Sequence, residues 1–257
     1  MITALTIAGS DPSGGAGLEL DLKVFQHFGA YGAAVATALT VQDPTRVHAV
    51  FAVDASLVRR RLEVLAAAFR PGVVKLGMLA TAPIVEVVAD FLDGLDPAVP
   101  VVVDPVLRST SGAELLERAG VDALLARILR RAVVVLPNLA EARILCGDPA
   151  IGAADAARAL ASKYGVAFVV TGGDAQGSTA IDEVSSDRAY RLVGPRTEGI
   201  SPHGTGCAFA AAIAAHLAHG AMLEVALQGA KRFIGEACAG ARPLPGAPEG
   251  ARRVLVF

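Results

Sequence analysis

Lysine is nearly missing from this chain: Lys23, Lys75, Lys163 and Lys231 are the only four among 23 basic residues, and the rest are arginine. Cysteine is scarce as well. Cys146, Cys207 and Cys238 are an odd, widely spaced set without a CxxC pair. That pattern excludes a cysteine-built metal cage and points to a reducing compartment. Neither sign of charge dominates, because the net charge is −2 at pH 7. No global field therefore recruits nucleic acid or an acidic membrane. The Ala-rich run 208–218 is too short to span a bilayer and contains His216. The apolar N-terminal stretch lacks a basic flank and breaks at Ser10-Asp11, so it reads as a first strand and not as a signal peptide. No linker, internal repeat or low-complexity tail interrupts the 257 residues. The expectation is a cytoplasmic protein with one domain over residues 1–257.

What the chain does have is apolar material, 53% of its residues, with a mean hydropathy of +0.52. Short β-branched runs alternate with longer helical patterns. Strands are expected at Ala4–Ala8, Ala34–Val41, Val73–Met78, Val101–Asp104, Ala132–Leu136 and Val166–Thr171, and helices at 17–28, 55–69, 82–93, 120–130, 139–146, 153–164, 205–219 and 221–240. Near-continuous apolar strands separated by helices predict an α/β fold, a mostly parallel sheet covered on both faces. Residues 179–193, turning around Ser185-Ser186-Asp187, read as an appended antiparallel hairpin. The Pro/Gly-rich stretch 240–250 reads as a loop before a last short strand, Arg253–Phe257.

In an open parallel sheet, ligands bind beyond the carboxyl ends of the strands. Those ends here carry Gly9-Ser10-Asp11, Gln42-Asp43, Gly77, Asp104, Asn138 and Gly172-Gly173-Asp174. So many polar and glycine residues on one rim predict a site. The turn from Gly9 through Gly14, Gly15 and Gly17 spells neither a dinucleotide fingerprint nor a P-loop, since no lysine follows Gly14. It is either a tight strand-to-helix turn or a loop that lets a neutral, flat substrate approach the backbone, with Asp21 as a hydrogen-bond acceptor. Asp104, ending a fully apolar strand before Pro105, caps a turn or stands near Mg2+ and phosphates. Asn138 and Glu141 have the spacing of a capping box, and the same pair on this rim could face a metal–phosphate region. Thr171 stands where a nucleotide-phosphate role would be better served by lysine.

The most specific stretch is Pro202-His203-Gly204-Thr205-Gly206-Cys207, followed at once by a strong helix former. A helix N-terminus offers unpaired N–H groups and about half a positive charge, which makes it an anion site. Glycines at 204 and 206 leave the backbone open to approach. A thiol at such an end is expected to ionise below the free value of roughly 8.5. The plain structural alternative is a glycine turn capped by Thr205, with a small buried cysteine behind it.

Together these residues resemble the hydroxymethylpyrimidine/phosphomethylpyrimidine kinases of thiamin biosynthesis, members of the ribokinase-like superfamily. The resemblance runs along essentially the whole chain and is carried by Thr6 to Gly17 with Asp21-Leu-Lys23, Thr37 to Gln42, Lys75 to Leu79, Asp104-Pro-Val106 through Gly112, Pro137 to Glu141, and His203 to Cys207. It implies a three-layer sandwich that phosphorylates 4-amino-5-hydroxymethyl-2-methylpyrimidine and its monophosphate with ATP and Mg2+. By the same resemblance the aminopyrimidine lies over Gly9, is read by Asp21 and Gln42, and packs against Met78 and Val106. Gly204, Thr205, Gly206 and Cys207 form the cradle for the transferring phosphoryl group, with Cys207 as the base. Asp104, Asn138 and Glu141 organise metal and phosphates. A homodimer is also implied. The chain departs from the family pattern at Thr110 and Thr171, where lysines are usual, at Asp174, where histidine is usual, and at Asp43-Pro44, where asparagine usually follows the glutamine. Arg108 is the expected substitute for one missing cation. Three other readings stay open: a pyridoxal or pyridoxine kinase, a non-catalytic pyrimidine-binding module, and a sugar or adenosine kinase, against which Cys207 stands where the sugar kinases use aspartate.

Overall fold

The computed structural model describes residues 1–43, 45–109, 112–172, 177–196, 202–247 and 252–257. Thr110, Asp174 and Pro44, three of the positions that depart from the family pattern, lie outside the described residues. Among those described, the strands β1 Thr3–Ser10, β2 Tyr31–Gln42, β3 Val47–Ala52, β4 Val74–Leu76, β5 Val101–Val103, β6 Val134–Val135, β7 Ala167–Val170, β8 Thr179–Ser185 and β9 Ala189–Pro195 form one sheet. Its order is β3-β2-β1-β4-β5-β6-β7-β8-β9. The run from β2 to β7 is parallel, as expected. At either edge the pairing turns antiparallel, β2 with β3 on one side and β7 with β8 and β9 on the other.

Strand pleating explains the two cores. On one face Leu5, Ile7, Val74, Leu76, Val101, Val103, Val135, Phe168 and Val170 meet α2 Ala55–Ala68, α3 Ala82–Asp93, α4 Arg118–Ala123, α5 Leu139–Cys146 and α6 Ala153–Tyr164. The alternate residues Ala4, Val73, Val102, Val134 and Val169 meet α1 Gly17–His27, α7 Thr205–Ala218 and α8 Leu223–Ala239 on the other. Period-two alternation between two apolar layers is why these strands read as unbroken apolar runs. In α7 every residue from Ala208 to Ala215 is buried. A helix that is apolar all round is a core helix, and its alanines let it lie close to the sheet.

The structure corrects the reading of the sequence in three places. The strand Val47–Ala52 was not expected, because its segment is half exposed and shows no clean alternation. The tail 253–257 forms no strand; Val254 makes only isolated bridges to His203 and Arg242. The helix expected over 120–130 starts at Arg118 and tightens and widens on the way, through a π turn at Leu124–Ile128 and a 3-10 turn at Leu129–Arg131.

Candidate active site

The carboxyl ends of the parallel strands open into a cleft of about 1030 Å3. Gly9, Gln42, Met78, Asp104, Val106, Arg108, Asn138, Glu141, Thr171 and the Gly204–Cys207 turn all line it. Only Asp21, among the residues expected there, does not.

The cradle is built by backbone. Gly204 is the N-cap of α7 with φ +80, and a Cβ there would collide with the carbonyl oxygen of Gly15. Among the described residues no side chain caps the helix, so Thr205 does not play the capping part its position suggested. A Cβ on Gly206 would meet nothing within 4 Å, which leaves the approach to the first N–H groups of α7 open. Uncapped donors at a long helix facing a cleft are what an anion needs.

Behind the cradle lies a charged cluster created by strand register. Lys75 pairs with Thr6 and Val102 in the sheet and points to the same face as Val73, toward α1 and α7. There its Nζ lies 2.9 Å from Asp21 Oδ2, with both side chains 0% exposed. Thr6 Oγ1 donates to the same oxygen at 2.6 Å, and Asp21 Oδ1 has no partner among the described residues. The expected contact between Asp21 and a substrate ring is thus replaced by a supporting one: a lysine in a buried strand must have its counter-charge, and Asp21 is it. Burial alone pushes the Asp21 carboxyl up and would push Lys75 down. Asp21, Cys207 and Asp104 nevertheless hold Lys75 above the usual lysine range, so the proton stays on Nζ.

Cys207 is the clearest electrostatic correction. Helix-end position predicted an acidified thiol, but burial, reinforced by Asp104 and Asp21, pushes it up to about 12 against the pull of Lys75 and an N–H from Gly17. Desolvation outweighs half a helix-end charge when two carboxylates stand nearby. Its thiol donates to Asp104, whose own carboxyl burial raises to about 6, offset in part by Lys75.

Asn138 and Glu141 do form the capping box: Asn138 Oδ1 accepts from Glu141 N at 2.9 Å, and Glu141 Oε2 accepts from Asn138 N at 3.0 Å. The other oxygen of Glu141 accepts from Leu107 N at 2.9 Å, next to Val106 at φ +43. A β-branched residue with positive φ is strained, and Glu141 anchors the turn that carries the strain. Thr171 bridges to Asn138 and holds its position through Thr171 N to Pro137 O at 2.9 Å. Arg108 is exposed at the rim, in a turn closed by Ser109 N to Ala113 O and Leu115 N to Leu107 O.

For Mg2+ the donor set is suitable. Asp104 is a nearly buried carboxylate that lines the cleft, and a divalent cation of this type takes one or two carboxylates and completes its shell with phosphates and water.

The structure adds residues to which the sequence reading gave no role. Lys75 is one, and a lysine amid Val73-Val74 and Leu76 was the available signal. Lys231 on α8 bonds Asp182 Oδ2 at 2.6 Å in the cleft wall, joined there by Arg196, which donates to Gly172 O at 2.8 Å. His203 and Asp11 are the third addition, with Nε2 and Oδ2 2.8 Å apart beside Gln42. These long-range pairs join elements far apart in sequence, and no local pattern announces them.

Comparison with known proteins adds a second line. Residues 11–249 match a family described as phosphomethylpyrimidine kinase. A hydroxymethylpyrimidine/phosphomethylpyrimidine kinase of Aquifex aeolicus is 38% identical over 245 residues, spanning 94% of this chain and 96% of that protein. Among solved structures, Bacillus subtilis pyridoxal kinase in its ADP complex superposes with a TM-score of 0.87 at 33% identity, over 99% of this chain and 97% of that one. Phosphomethylpyrimidine kinase from Clostridium difficile 630 gives 0.78 at 31% identity, over 92% and 99%. Both neighbours share the ribokinase-like α/β architecture expected from the sequence.

Proposed function

The chain belongs to the phosphomethylpyrimidine kinase family, and on that footing we propose that it uses ATP to phosphorylate 4-amino-5-hydroxymethyl-2-methylpyrimidine and then its monophosphate in thiamin biosynthesis. The observation that carries this reading is the uncapped N-terminus of α7, with Cys207 behind it, opening on the same cleft as Gln42, Met78 and Val106. An anion cradle and a flat apolar slot share one space. Residues 1–257 act as one kinase domain around the continuous sheet.

Phosphoryl transfer asks mainly for alignment and for stabilisation of spread negative charge. In this reading Met78, whose Sδ would lie 3.0 Å from a Cβ on Gly9, and Val106 form the slot for the ring, and Gln42 reads its edge. The N–H groups of Gly204, Thr205 and Gly206 receive the transferring group. Asn138, Thr171 and Arg108 flank the phosphates of ATP. Asp104, with Glu141 nearby, would hold Mg2+, which would supply charge neutralisation on those phosphates. The alcohol proton leaves late, because its oxygen becomes acidic only as the new P–O bond forms. Cys207 Sγ accepts it while its own S–H proton passes on to water in the cleft, because Asp104 beside it stays ionised when it holds the metal. A thiol pushed up to about 12 fits this relay and does not fit a preformed thiolate.

The pyridoxal reading draws support from the ADP-bound neighbour. Coupled assays of ATP consumption with the pyrimidine, its monophosphate and pyridoxal separate the readings. The pyrimidine series should be consumed and yield the diphosphate; turnover of pyridoxal alone would replace the reading, and binding without ATP consumption would make the protein a non-catalytic module. The use of ATP supports a cytoplasmic location. A homodimer is supported by the β2–β3 ribbon, where Leu39, Val41 and Phe51 stand on one face, each more than half exposed.

A further inference from the structure

His203 Nε2 stands between two groups: Asp11 Oδ2 at 2.8 Å and the amide of Gln42, whose atom placed as Nε2 is 2.9 Å away. Asp11 is an ionised carboxylate. Burial pushes it up, but bonds from His203 and from the N–H and hydroxyl of Ser13 outweigh that and hold it below the usual range. An ionised carboxylate only accepts, so the ring nitrogen facing it carries a proton. The same N–H then faces Gln42. With Nε2 of Gln42 toward it, two donors would meet, while the reversed amide puts an oxygen there. The conclusion is the same for neutral imidazole and for imidazolium, since both carry the Nε2 proton.

The ring cannot turn away. His203 N donates to Arg253 O at 2.8 Å, and a Cβ on Gly15 would come within 2.7 Å of His203 Cδ2. The side chain of Asp11 is 3% exposed and that of His203 13%. All three residues line the cleft. We infer that the Asp11–His203 pair locks the Gln42 amide with its oxygen toward His203 and its NH2 toward the cleft, so that the protein selects a heteroaromatic ring whose edge offers an acceptor nitrogen at that point. This deepens the pyrimidine reading and rests on it for the identity of the ring.

A free glutamine amide is a poor discriminator, because a half-turn exchanges its donor and acceptor. A locked one rejects a ring of the opposite pattern, since a buried donor then meets a donor. The 4-amino pyrimidine offers a bare ring nitrogen beside its amino group. Its 4-oxo analogue carries hydrogen on that nitrogen. His203 is a positioning residue in this account: it touches Gln42, and Gln42 touches the ring.

Two measurements test the lock. In the free protein, long-range 1H–15N spectra report which imidazole nitrogens are protonated. The chain has five histidines, and single glutamine variants of His27, His48, His216 and His219 leave the His203 pattern by elimination, without touching the site. A protonated Nε2 is expected, and a bare Nε2 overturns the assignment. The second measurement compares binding of the amino and oxo rings. The unaltered protein should prefer the amino ring by about tenfold or more, the scale of one hydrogen bond lost and one donor stranded. His203→Leu should bring that ratio toward one, and His203→Gln, which restores an N–H donor, should recover it. A ratio that survives in folded His203→Leu overturns the proposal. Because the spectra are read without ligand, they decide the lock even where the pyrimidine reading fails.

Discussion

Replacing Cys207 by alanine should lower kcat by a factor of about 10² or more, while pyrimidine binding changes far less, because a proton acceptor acts in the transition state. Steady-state kinetics beside a direct binding titration separate the two; equal losses would make Cys207 a packing residue. Its thiol, pushed up to about 12 by burial, should also alkylate slowly, with a rate still rising at pH 9. A plateau below pH 8.5 would restore the acidified thiol that its position suggested. Asp104 belongs to the same cluster. In the metal-free protein its carboxyl should titrate near 6, and Mg2+ should move that titration down, since a cation favours the charged form. Carbon-13 spectra of labelled aspartate give the answer with no turnover involved, and a midpoint in the ordinary range near 4 would contradict the burial argument. For the Lys75–Asp21 pair, Asp21→Ala strands a buried ammonium and should cost about 3–5 kcal/mol in urea unfolding. A loss under 1 kcal/mol would mean that the pair is not the internal support described.

At the scale of elements, Gly204 decides whether α7 can begin where it does. Gly204→Ala places a methyl against Gly15 O and asks for a positive φ, so both the cradle and the turn from Gly14 to Gly17 must shift. Loss of nucleotide-dependent turnover with a lowered melting temperature is the expected outcome; unchanged kinetics would deny the cradle its role. The β2–β3 ribbon makes the other prediction at this scale. Light scattering should find a dimer, and Phe51→Lys should shift it toward monomer, whereas a monomeric unaltered protein would leave that face without its second copy. Most of these elements were legible in the sequence, because apolar runs of four to eight residues between helical periodicities give few alternatives to a parallel sheet. The strand Val47–Ala52 escaped because it is an edge hairpin partner held by pairing to β2 and not by burial. The strand ends were legible for the same reason as the strands, so the rim and its residues were too. What local sequence could not carry was which partners meet across it: Lys75 with Asp21 is a matter of sheet register, and His203 with Asp11 spans most of the chain.

Over the whole molecule, function follows from where the sheet places its ends. The parallel order delivers Gly9, Gln42, Met78, Asp104, Asn138 and Thr171 to one cleft, and α7 closes it from the far side with its N-terminus inward. With threonine at 171, the cleft places cations elsewhere, among them Lys75 beneath the cradle, Lys231 and Arg196 in the wall, and Arg108 at the rim. Arg108→Ala should weaken ATP binding several-fold in a fluorescent-nucleotide titration, and unchanged affinity would remove Arg108 from the phosphate site. One cleft is expected to transfer phosphoryl groups from ATP to the hydroxymethyl of an aminopyrimidine and then to the phosphate so formed. Incubating the purified protein with ATP, Mg2+ and 4-amino-5-hydroxymethyl-2-methylpyrimidine, and following the products by phosphorus-31 spectra, tests it most directly. Monophosphate should appear first and diphosphate after it, with one ADP released for each phosphate gained. No pyrimidine phosphate, with pyridoxal phosphorylated under the same conditions, would contradict it.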